Sequence, residues 1–204
     1  MCSMDALASS LHQQLLETTE RLVYAHGVHA VGVDQIVRES GVPRRSLYKH
    51  FGSKEGLVLR MLEHRHARWM AWFGAAVDAR AQAPRARLLA LFDVLHVWFA
   101  SPDFHGCAFI NVAGQYADAA EPARQVAQRH KAALRDWIER ECAAAGLHSA
   151  AVWARRWLVV VDGAIAVALV GADPDAALDA RSVAAALLDA ALPDTSSPPL
   201  ESHR

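Results

Sequence analysis

The spacing of hydrophobic and polar positions predicts helices along almost the whole chain. Leu11, Leu15, Leu22 and Ala25 share one face of a helix expected from about Ser9 to His26, and Gly27 closes it. Ile36 and Val37 give a short second helix, starting near Val33, its apolar side, and Ser40-Gly41 stops it. Pro43 sits where a third helix can begin, because its missing N–H would have no partner in a first turn. Leu47 and Phe51, four apart, share a face and dock this helix on the second. Ser53 is the expected N-cap of a long fourth helix that runs through Leu57, Met61, Leu62, Trp69 and Phe73 towards Ala81. Pro84 opens a fifth helix with the stripe Leu88, Leu91, Phe92, Leu95 and Phe99, and Ser101-Pro102-Asp103 ends it. Three more are expected over Glu121–Ala145, Ser149–Gly171 and Pro174–Leu192. The tail from Pro193 is polar and rich in Ser and Pro, which predicts mobility.

Composition agrees with this pattern. A hydrophobic fraction of 53% is ample for a packed interior, and its large alanine share with few strand-favouring runs points to an all-α fold. The N-terminus lacks the basic start and apolar core of a signal peptide. The longest apolar run, Leu158–Ala172, is short of a membrane span and is interrupted by Asp162. Cys2, Cys107 and Cys142 form no CxxC and no disulfide framework. A soluble cytoplasmic protein with no membrane association is the expectation.

Charge sharpens the picture. The net charge is −1, yet Arg38–Arg68 holds eight basic residues against three acidic ones. A local basic patch on a near-neutral chain suits phosphate binding at one end. The third helix shows why: opposite Leu47 and Phe51 it carries Arg44, Arg45, Ser46, Tyr48, Lys49 and His50. A solvated helix surface is the plain alternative for the charge alone.

The residues Gly27, Ile36, Gly41-Val42, Ser46-Leu47-Tyr48, Phe51, Lys54 and Leu57 stand at fixed spacing. Together they resemble the DNA-binding domain of the tetracycline-repressor (TetR/AcrR) family of bacterial transcription regulators. The resemblance covers Leu11–Arg65 and implies a helix-turn-helix whose third helix reads DNA. Tyr48 and His50 then suit phosphate oxygens, and Lys49 and Lys54 add charge, with Lys54 at a helix N-terminus that favours anions. Arg44, Arg45 and Ser46, at the start of the recognition helix, suit base edges in the major groove. Two positions depart from the family pattern. Gly32 stands where a capping hydroxyl is usual, which removes one expected phosphate contact, and Arg45 stands where a small residue is common.

The resemblance also implies a second, larger helical domain for ligand binding and dimerisation. The expected division is 1–52 for the DNA-binding domain, 53–192 for the ligand-binding and dimerisation domain, and 193–204 for the tail. Phe92, His96, Phe99, Phe104, Asn111, Gln115, Tyr116, Trp137 and Trp157 supply the aromatic and amide groups of a candidate effector site, although aromatics at helical spacing are more often core. The segment Phe104–Asn111 resembles a glycine–cysteine-containing sixth helix found in part of the family. Cys107 within it is a candidate sensor of electrophiles or oxidants, against the plain reading of a packed thiol. Val159, Gly163, Ala166 and Val170 form a small-residue strip on the eighth helix, and Ala184, Leu187, Leu188, Ala191 and Leu192 a second strip on the ninth. The resemblance implies that these helices build a homodimer across a two-fold axis.

Competing chemistry is thin. His64 and His66 are two apart on a helix and share no face for a metal, and no nucleophile–base pair or phosphate-cradling loop stands out. The reading is therefore a homodimeric, sequence-specific transcriptional regulator, a repressor rather than an enzyme. It binds a double-stranded, pseudo-palindromic operator and is released by a small-molecule or thiol-reactive effector, with no cofactor or metal. The alternatives are an α-helical small-molecule enzyme, or a scaffold protein without DNA binding.

Overall fold

The structure, a computed structural model, describes residues 2–191, with side chains from Ser10 onward. Among these residues every regular element is an α-helix. The order is α1 (Cys2–His26), α2 (Val33–Ser40), α3 (Arg44–Phe51), α4 (Lys54–Asp78), α5 (Pro84–Phe99), α6 (Ala108–Ala113), α7 (Pro122–Ala144), α8 (Ala150–Gly171) and α9 (Ala176–Ala191). The chain gathers into two compact units. One holds the residues up to Gly74 together with His105–Ala133; the other holds Ala75–Phe104 and the chain from Leu134.

In the first unit, α1 packs on α2 and α3. Leu15, Val31, Ile36, Leu47 and Leu57 have no exposed surface, and burying each such side chain contributes about 1.5–3 kcal/mol. Polar bonds fasten α6 at both ends. The Tyr24 hydroxyl donates to the Gly106 carbonyl at 2.7 Å and accepts the His105 amide at 3.0 Å. At the other end, the Gln115 side chain accepts the Val28 amide at 2.8 Å and donates to the Asn111 carbonyl at 3.0 Å. The Arg65 guanidinium lies 4.1 Å from the centre of the Tyr24 ring and bonds Glu20 at 2.7 Å. Deeper in the unit, His130 is 2% exposed, stacks on Phe109 at 3.7 Å, and sets its Nδ1 3.1 Å from that of His66.

In the second unit, α9 packs on α5 and α8. Leu88, Leu91, Phe92, Trp157, Ala177, Ala184 and Leu188 are completely buried, and the Trp157 indole N–H bonds the Leu88 carbonyl at 3.3 Å. Burial of Trp157 therefore leaves no unpaired donor. Arg87 grips Glu141 through two bonds of 2.7 and 2.8 Å and reaches Asp78 at 2.6 Å.

Several boundaries differ from the sequence expectation. Helix α1 begins at Cys2, well before Ser9. Helix α4 ends at Asp78, and Arg80 and Gln82 turn their side chains back onto the Ala76 and Asp78 carbonyls, satisfying groups the helix terminus leaves free. Helix α6 begins only at Ala108: Gly106 takes a positive φ of 78° and Cys107 is extended, so Phe104–Cys107 is a loop. On α9, Ala184 and Leu188 face the unit's own core, not solvent. Leu192 and the tail 193–204 lie outside the described residues.

Candidate nucleic-acid interface

The geometry of α2 and α3 follows from a few local choices. Gly41 takes φ 68°, the left-handed conformation that a side chain disfavours, and its amide returns to the Val37 carbonyl at 3.0 Å. Val42 is buried, with its amide on the Ser40 hydroxyl at 3.2 Å. Pro43 then stands as the residue before α3, and its carbonyl accepts the Ser46 amide at 2.8 Å. Leu47 anchors the helix with no exposed surface, while Phe51 is half-buried and stacks on His12 at 4.6 Å.

Anchoring Leu47 turns the opposite face of α3 outward. Arg44, Arg45, Tyr48 and Lys49 are exposed, whereas Ser46 and His50 are half-buried. The His50 ring meets His12 edge-on at 6.0 Å. Burial, and then His50, hold the His12 pKa below its usual value. Arg44 forms an ion pair with Asp34 of α2. Glu39, the other acid of α2, is engaged by Arg21 at 2.8 Å and Gln35 at 3.2 Å, and the Arg21 bond first holds its carboxyl below the ordinary range.

The start of α4 sits against the end of α3. The Ser53 hydroxyl accepts the Gly56 amide at 3.0 Å, the expected N-cap bond, and leaves Lys54 half-buried in the first turn. Gly56 is required there, because a Cβ would overlap the Phe51 carbonyl oxygen. The Glu55 carboxyl is held low by its own amide and by Ser53. Cationic side chains beside a capped helix N-terminus form an arrangement that attracts phosphates.

The candidate effector residues divide between the two units. In the second, Phe92 and Trp157 are core residues with rings 6.4 Å apart, and His96 bonds Asp175 at 3.0 Å. Phe99 lies 4.9 Å from Phe104 and 5.6 Å from Trp98, forming an aromatic cluster, and the Arg87 guanidinium lies 5.9 Å from the Trp137 ring. In the first, Asn111 donates to the His105 carbonyl at 2.8 Å, and Gln115 is committed to the Val28 amide. Tyr116 meets the His29 ring at 5.3 Å, and burial pushes its pKa up. Cys107 is buried, with 5% of its surface exposed. The strip on α8 is open: Val159 is 73% and Val170 88% exposed, and Gly163 and Ala166 are exposed with them.

Comparison with known proteins places this geometry. The model of bacterial regulatory proteins of the tetR family matches residues 15–61, from α1 into α4. A putative tetR transcriptional regulator from Streptomyces avermitilis is 33% identical, covers 89% of this chain and 97% of its own, and superposes with a TM-score of 0.77. This chain belongs to the tetR family. A TetR-family transcriptional regulator from Streptomyces coelicolor is 28% identical, covers 90% of this chain and 96% of its own, and has a TM-score of 0.83. The transcriptional repressor NemR of Escherichia coli is 26% identical over 113 residues, which are 55% of this chain and 57% of NemR. The chain thus spans little more than half the length of this curated relative.

As a tetR-family member the chain has an N-terminal helix-turn-helix followed by further helices, as the motif residues imply. Among the described residues no helix is long and apolar enough to cross a membrane. Two pairs at the site escaped the sequence reading, Asp34 against Arg44 and His12 against Phe51, and so did one in the interior, His130 against His66. The first two pairs had a usable signal, since opposite charges flank the turn and His12 lies on the half of α1 that faces α3. The last joins residues 64 positions apart, and no local pattern reports it.

Proposed function

We propose that this tetR-family protein is a homodimeric, sequence-specific DNA-binding transcriptional repressor. The observation that carries the reading is the polarity of α3: Leu47 is wholly buried while Arg44, Arg45, Tyr48 and Lys49 project outward. Arg44, Arg45 and Ser46 read base edges, and Tyr48, Lys49, His50 and Lys54 position the helix on phosphates. Residues 1–52 form the DNA-binding portion, and residues 53–192 serve effector binding and dimerisation. The protein works in the cytoplasm and has no catalytic step. NemR is described as a repressor, which supports the sign of regulation.

Dimerisation uses the open strip of α8, with α9 beside it. Val159, Gly163, Ala166 and Val170 place small and apolar groups in solvent, and Leu178 and Val183 of α9 are also exposed. A pseudo-palindromic operator presents successive major-groove half-sites about 34 Å apart, which a two-fold protein matches. A small-molecule effector, or modification of the Cys107 thiol, shifts α4 and takes the two recognition helices out of register with the grooves. Such release requires the effector to favour one of the two arrangements energetically.

Fluorescence anisotropy of the full chain on its own upstream DNA tests the reading, at several salt concentrations and against a scrambled duplex. Tight, salt-sensitive and sequence-selective binding is expected. Adding a thiol-reactive electrophile should release the wild type and spare Cys107→Ser. Equal, weak binding to both duplexes would instead favour a scaffold protein or an enzyme on this fold.

A further inference from the structure

Asp34 and Arg44 stand on opposite sides of the helix-turn-helix turn and form an ion pair. Arg44 opens α3, and its side chain is half exposed; Asp34, in the first turn of α2, is 86% exposed. The only other acid of α2, Glu39, is already engaged by Arg21 and Gln35. Asp34 is therefore the α2 carboxylate directed at the basic recognition helix. An acid in a first turn is favoured by the helix dipole, but that role needs no arginine partner. So exposed a pair contributes little to folding stability. What it does fix is the direction of a guanidinium at the end of α3 best placed for base edges.

We propose that Asp34 is a specificity-determining positioning residue that acts through Arg44. The inference rests on the DNA-binding reading above. A long, unrestrained arginine satisfies itself on the nearest phosphate, a contact with no sequence information. A guanidinium held on one side by a carboxylate keeps its remaining N–H groups in a fixed plane, the arrangement that a guanine N7/O6 edge accepts. The Asp34 charge itself repels the phosphates of every duplex alike, but with Arg44 held in the ion pair a mismatched duplex gains no compensating phosphate contact from that guanidinium. Discrimination rises by disfavouring the wrong sequences as well as by favouring the right one.

The test uses the full chain, a duplex enriched by the wild type from random-sequence DNA, and a shuffled version of that duplex. Asp34→Asn should tighten binding to the shuffled duplex about three- to tenfold and change matched binding less, so the discrimination ratio falls. Asp34→Ser, well tolerated at a helix start, should act in the same way. In an Arg44→Ala background, Asp34→Asn should move both duplexes by the same factor. A ratio unchanged in both single variants, or altered equally without Arg44, overturns the proposal. If the wild type enriches no sequence at all, the DNA-binding reading itself fails and this inference falls with it.

Discussion

The Gln115 side chain accepts the Val28 amide at 2.8 Å across 87 positions of sequence, and so pins the turn after α6 to the turn that follows α1. Val28 is 2% exposed, so its N–H has no access to bulk water when that bond is lost. Leaving a buried donor unmade costs about 1–3 kcal/mol. Gln115→Leu, similar in size but unable to accept, should lower the urea midpoint accordingly. An unchanged midpoint would mean that another group takes the Val28 amide.

Acid should weaken the fold through His130. Burial, followed by Lys131 and His66, lowers its pKa from 6.5 to about 3, and burial also lowers that of His66. Between these values the unfolded chain binds a proton that the folded chain refuses, so stability is full above pH 6.5 and is lost as pH falls towards 3. From pH 6.5 to 5 the loss should be roughly 2 kcal/mol. His130→Phe, which keeps a ring against Phe109, should flatten that slope. Denaturant titrations at stepped pH would show it, and an equally steep slope in the variant would assign the proton elsewhere.

On the recognition helix, two cations should behave differently. Arg45→Ala should cost roughly 1–3 kcal/mol on a matched duplex and relax sequence choice, whereas Lys49→Ala should weaken all duplexes alike and reduce the salt slope by about one. Anisotropy on matched and scrambled DNA separates the two outcomes. Identical behaviour of the variants would end the division of labour between base and phosphate contacts.

Val170, at 88% exposure, is the place to test assembly. In the interface proposed for the α8 strip, a charge would have no partner and would be costly to desolvate. Val170→Glu should therefore yield monomers in sedimentation while leaving the helical circular dichroism intact. A variant that remains dimeric would move the interface away from this strip.

What the sequence disclosed follows from the range of the interactions involved. Leu47 and Phe51 share a face through helical periodicity alone, and Gly41 and Pro43 act on their immediate neighbours, so α2, the turn and α3 were legible residue by residue. The α8 strip was legible for the same reason. On α9 the periodicity found an apolar face but could not say which side it would meet, and Ala184 and Leu188 pack inward. Asn111 and Gln115 read as ligand groups because amides in an aromatic segment suit a binding site; the Gln115 bond to the Val28 amide spans 87 positions that no spacing encodes, whereas Asn111 bonds the His105 carbonyl close by in the chain. Helix α6 was placed too early because the sequence gives Gly106 no mark distinguishing a mid-helix glycine from one with positive φ.

The gathering of His105–Ala133 with the N-terminal helices bears on how such a protein can be recombined. A chimera made by splicing a foreign head at the end of α3 would keep the native Gly106 carbonyl but lose the Tyr24 hydroxyl that bonds it, whereas any non-proline residue at position 28 would still offer Gln115 a backbone amide. Swapping operator preference between relatives would therefore require two separated gene segments to travel together, or else compensating changes in α6. The helix-turn-helix is contiguous in sequence, but the unit of exchange is not.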